Sequence, residues 1–109
     1  MNEEIDIFKC LDFIRDHAEE SAIAKANRIY MEGFLKVMKA KIMAEDKSQP
    51  VNAQERNAYS HHDYENHLKA LEQAVAEEER LRWLLIGAQA KIEVWRSLSA
   101  NQRAEAKAL

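Results

Sequence analysis

Three of the chain's four histidines lie within seven residues, in the stretch SHHDYENH from Ser60 to His67. On a helix His61 and Glu65 stand one turn apart, and so do Asp63 and His67. Pairs at that spacing can hold a metal ion from one face. Each pair supplies two ligands, the pairs face different ways, and no cysteine is nearby. The stretch therefore reads as a polar helix start, with carboxylates where the helix dipole favours them. No metal and no cofactor are expected.

Nucleophilic and phosphate chemistry are as sparsely provided for. Cys10 is the single cysteine; it falls beside apolar helical positions, where buried packing is the expected role. The two glycines, Gly33 and Gly87, sit inside helical periods, so no loop is free to cradle a nucleotide, and no glycine-flanked serine occurs. A non-enzymatic protein is expected. One cysteine suits a reducing compartment, and the start MNEEIDIF lacks the basic flank of a signal peptide. No run approaches ~20 apolar residues. The expected place is the cytoplasm, without a membrane partner.

Basic clusters offer a different kind of chemistry. KVMKAK supplies Lys36, Lys39 and Lys41, with Lys25 and Arg28 about two turns upstream. Lys36 and Lys39 share a helix face. Together with Arg96 and Arg103 they could bind phosphate, provided the fold brings the two segments together. Antiparallel pairing in one hairpin would hold them at opposite tips. The competing reading is a solvated face that neutralises nearby acids. Near the C-terminus, EVWRSLSANQRAE adds Trp95 and Asn101; Trp95 is expected to be a core anchor, with a base-stacking or partner-contacting role as the sharper reading.

The elements that must position these residues follow from the chain-breakers. With two glycines and one proline in 109 residues, few turns are possible and long helices are expected. Pro50, in AEDKSQPVNAQERN, marks the clear break. Asn52 followed by Glu55 reads as a capping box, and Ser60 as a second cap. Helices are predicted over 3–45, 53–58 and 61–98, with SLSAN stopping or kinking the last.

In the first helix Ile7, Leu11, Ile14, Ala18, Ala22, Ala26, Ile29, Gly33, Val37 and Ala40 form an apolar stripe at steps of three and four. Ile23, Tyr30, Phe34, Met38 and Ile42 widen it. The last helix carries a heptad seam of Leu71, Ala74, Glu78, Leu81, Leu85, Ala88, Ile92 and Trp95. Glu78 interrupts that seam, either paired with Arg82 or at the seam's edge, with a buried, register-setting role as the sharper reading. Trp83, Leu84 and Val94 make a second apolar strip with Gly87 among them.

Charge alternates along the chain. Residues 1–20 hold seven acids and two bases, residues 21–50 three and six, residues 51–80 seven and three, and residues 81–109 two and five. Laid antiparallel, each acidic helix start meets a basic helix end. The expected fold class is all-α: two long antiparallel helices joined through a short one, a coiled-coil-like helical hairpin. Two apolar faces on so thin a core predict a homo-oligomer, most simply a dimer.

Tyr30, Phe34, Lys36, Lys39 and Ala40, followed by an acidic, alanine-rich helix ending in Trp95, Arg96, Ser97, Ala100, Asn101 and Arg103, carry a resemblance. Over residues 30–104 the chain resembles small helical proteins of tailed bacteriophages and prophages, encoded near recombination and early-replication genes. That resemblance implies a phage context and a neighbourhood in DNA metabolism, not an activity; the function expected from it together with the basic segments is a phage accessory protein in DNA recombination or replication. It would be an oligomeric module contacting single-stranded DNA or a DNA-metabolism protein of phage or host through Lys36, Lys39, Lys41, Trp95, Arg96, Asn101 and Arg103. The alternative is a phage inhibitor or adaptor that engages a host enzyme through the acidic runs Glu3–Glu20 and Glu72–Glu79.

Overall fold

A computed structural model describes residues 4–108. Its elements are α1 (Ile7–Glu45), α2 (Val51–Ser60) and α3 (His62–Ala108). The protein is all-α, two long antiparallel helices joined through a short one, as the scarcity of glycine and proline requires. Among the described residues no helix is long and apolar enough to cross a membrane.

The helix ends differ from the predicted ones for local reasons. Asp6 caps α1: its Oδ1 accepts from the amides of Phe8 and Lys9, each at 3.1 Å, satisfying donors that a helix start leaves open. The chain turns at Asp46, whose carboxylate accepts from the Ser48 amide at 3.1 Å and from its hydroxyl; these bonds hold its pKa below the usual aspartate value. The Asn52–Glu55 capping box does not form. Pro50 occupies the cap position of α2 with φ −58° and ψ 152°, where its missing amide costs nothing. Asn52 bonds the adjacent Ala53 amide instead.

Ser60 likewise stays in α2, donating back to the Arg56 carbonyl at 2.8 Å. His61 makes the break: extended at ψ 138°, it accepts the Asp63 amide at Nδ1, 3.1 Å away. SLSAN neither stops nor kinks α3, which continues to Ala108. Serine and asparagine are only mildly unfavourable inside helices, and the alanine-rich residues beyond restore the propensity.

The chain divides into two units, one formed by residues up to Ser21 with Arg80 onwards, the other by Ala22–Glu79. In each, part of α1 packs antiparallel on part of α3. In the first unit Cys10, Leu81 and Ala88 are buried; in the second Ala24, Ile42, Ala58 and Ala74 are. Leu81 is the largest side chain with essentially no exposure, at 1%.

The α3 seam holds as expected: Ala74, Leu81 and Ala88 are buried, and Leu71, Glu78, Leu85 and Ile92 half-buried. Trp95, the expected core anchor, is instead exposed, at 37%, so the seam ends at Ile92. The predicted α1 stripe is corrected. Leu11, Ala18, Ala22, Ala26, Ile29, Gly33, Val37 and Ala40 are exposed; the positions turned inward include Cys10, Ile14, His17, Ser21, Ala24, Arg28, Met31, Leu35, Met38 and Ile42. Those recur in alternating steps of three and four, the 3.5-residue repeat of a helix following its partner. The apolar stripe steps more often by four and drifts off that seam.

Candidate interaction surfaces

In the Ala22–Glu79 unit, polar side chains tie helix to helix. Arg28 donates from Nε to one oxygen of Glu78 at 2.6 Å and from Nη2 to the other at 3.0 Å. The planar fork matches the carboxylate. Hydrogen bonding to Glu78, reinforced by Glu32, raises the Arg28 pKa above its usual value. Glu78 is thus the half-buried polar member of the α3 seam, and its cross-helix partner is Arg28.

His67 also turns inward, its Nε2 2.8 Å from the Met31 carbonyl and its ring against Phe34. It is therefore not paired with Asp63 as a ligand. The nearest histidine grouping is His61, His62 and Asp63, in which His61 Nδ1 already serves as the helix cap and His62 Nε2 meets Asp63 at 3.0 Å.

The predicted cations meet different fates. Lys39 is engaged within the unit, donating to the Tyr59 hydroxyl at 2.8 Å and to Glu55 at 3.3 Å. The Tyr59 bond first, then Glu55, raises its pKa. Lys41 lies over the Phe34 ring, 5.7 Å from its centroid. Lys36 is exposed.

In the other unit Arg96 pairs with Glu93 at 3.0 Å, while Asn101 and Arg103 are exposed. Trp95, Arg96 and Arg103 share a shallow depression of about 330 Å³ with Ser97, Ser99 and Ala100. All its walls belong to α3, so it is the face of one helix. The structure gathers Trp95, Arg96 and Arg103 in one unit and Lys36, Lys39 and Lys41 in the other. Two of the five cations are already ion-paired. The acidic runs are also partly engaged, Glu20 with Arg80 at 3.5 Å and Glu78 with Arg28.

A groove that sequence reasoning did not assemble lies in the first unit, between α1 and α3. Lys9, Cys10, Phe13, Trp83, Leu84, Gly87, Ala88 and Lys91 line about 360 Å³. Its formation follows from side-chain size. Gly87, Ala88 and Cys10 are small, and a methyl group built on Gly87 would meet no atom within 4 Å, so the helices leave a trough. Trp83 and Leu84 border it at 61% and 43% exposure. Lys9 and Lys91 add positive charge, and neither makes an ion pair among the described residues.

The strip of Trp83, Leu84 and Gly87 was legible in the sequence; its meeting with Lys9 and Phe13 depends on the helix register. No family model, no curated protein and no solved structure matches the chain.

Proposed function

We propose that this protein is a non-enzymatic helical binding module that works as an oligomer, in its simplest form a dimer. Its place is phage DNA recombination or replication in the host cytoplasm, and its task is to engage another protein of that machinery. The observation that carries this reading is the apolar groove of Phe13, Trp83, Leu84 and Gly87 bordered by Lys9 and Lys91. Exposed aromatics beside a trough are typical partner-contacting surface, and the two lysines favour a helix whose apolar face is edged with carboxylates. Phosphate binding has weaker support, because Lys39 and Arg96 are spent on Glu55 and Glu93. The phage setting rests on the resemblance of residues 30–104.

The test places a photoreactive side chain at position 83 and irradiates the protein in extract from phage-infected cells. Crosslinking to a recombination or replication protein, lost in Leu84→Glu, is the expected result. Fluorescence anisotropy with single-stranded DNA is run beside it. Absence of a crosslink, together with salt-sensitive DNA binding lost in Lys36→Ala and Arg103→Ala, would move the function to nucleic acid.

A further inference from the structure

The trough between α1 and α3 in the first unit differs at its two ends. Glu20 meets Arg80 across these helices at 3.5 Å, which sets their antiparallel alignment. Three residues on from that contact along each helix stand His17 and Trp83, seven residues on Phe13 and Gly87, and eleven residues on Lys9 and Lys91. The two lysines therefore stand at one level, one on each helix. Trp83 lies eight residues from Lys91, about 12 Å along α3. The trough is aromatic at one end and doubly basic at the other.

The basic end lacks a counter-charge within the trough. No carboxylate lines it, and both lysines are exposed. The acids one turn from Lys9 are engaged elsewhere: Asp6 accepts the amides of Phe8 and Lys9, and Asp12 lies 3.4 Å from Arg15. Lys91 has no acidic residue three or four positions away. Arg82 is drawn over the Trp83 ring, 5.1 Å from its centroid, and does not line the trough. Two ammonium groups at one level repel each other, and a carboxylate between them turns that repulsion into attraction. The trough also stops there, because α1 begins at Ile7, two residues beyond Lys9.

From these observations we infer that the groove takes the C-terminal end of a partner protein. Apolar side chains of its last residues lie against Phe13, Trp83 and Leu84, in the space that Gly87 leaves, and its α-carboxylate sits between Lys9 and Lys91. An α-carboxylate offers two oxygens to two donors and needs no flexible side chain to deliver them. About two helical turns or four extended residues span the trough. Where the partner's end is helical, the negative end of its dipole meets the same lysines. This inference rests on the protein-binding reading above and names the part of the partner that enters.

The experiment selects on the full chain from peptides with four randomised C-terminal residues and a free carboxylate. Selected peptides are then labelled at the N-terminus and titrated by fluorescence anisotropy, as the acid and as the C-terminal amide. Enrichment of aliphatic or aromatic last residues is expected, with the amide binding about tenfold or more weakly. Lys9→Gln and Lys91→Gln should each weaken binding several-fold, and Gly87→Leu should block it, with helicity retained by circular dichroism. Lys107→Gln, on the same helix but outside the trough, should bind as the wild type does. No enrichment, equal binding of acid and amide, or indifference to both lysine variants overturns the inference. So does binding of laurate with no peptide selected, which assigns the trough to lipid. A position-83 crosslink that maps to an internal segment of a recombination or replication protein overturns this inference and leaves the functional reading standing. Carboxylate-dependent peptide binding without any such crosslink overturns the functional reading alone.

Discussion

The two units use the same pair of helices in different ways. From Ala22 to Glu79, contact between α1 and α3 is threaded with polar bonds: Arg28 to Glu78, His67 to the Met31 carbonyl. In the unit containing the two chain ends, Cys10, Leu81 and Ala88 form a small apolar core beside an open trough. Bidentate and cross-helix bonds are satisfied in one register only, since sliding by a turn would strand half-buried polar groups. Small residues set no such demand, and what they leave is space. One unit thus specifies the pairing, and the other presents a groove.

The largest expected effect tests the apolar unit. Leu81→Ala removes the one fully enclosed large side chain among the described residues, and urea unfolding should show a loss of about 2–5 kcal/mol. A loss well under that range would mean that the neighbouring small residues close over the gap. Next comes the polar unit. Arg28→Met and Glu78→Leu, made singly, each leave a half-buried partner charge and should lower the melting temperature, whereas the double variant should recover much of the loss. Additive losses in that cycle would deny the pair its register-setting role. The smallest effect sharpens the contrast at the trough. Gly87→Ala meets no neighbour and should stabilise the chain by about 1 kcal/mol, measured by the same unfolding. If it destabilises, the trough is tighter than its lining implies.

The two long helices differ in how far their packing was legible, and the reason is chemical. On α3 the inward residues are mostly leucine, alanine and isoleucine at heptad spacing, so the seam is visible as apolar periodicity. On α1 the inward set includes His17, Ser21 and Arg28, while the outward set includes Ile29 and Val37. Pattern reading follows hydrophobicity and so selected the outer stripe. Arg28 is acceptable inside because Glu78 meets its guanidinium, a fact that depends on a residue fifty positions away. The candidate surfaces divide likewise. Trp83, Leu84 and Gly87 were recognisable as an apolar strip; Lys9 and Phe13 join them only through the pairing of α1 with α3.

Glycine and proline count, helical periodicity and the position of Pro50 were sufficient by themselves to determine an all-helical chain with one main break, because those properties act within a few residues. Helix ends were less determined. His61 rather than Ser60 separates α2 from α3, and α3 runs on through SLSAN, since local capping signals compete with continued helix on nearly equal terms. Which face of α1 turns inward was decided only by tertiary structure. Turning an arginine half inward depends on a carboxylate being there to receive it, and that carboxylate arrives from another helix.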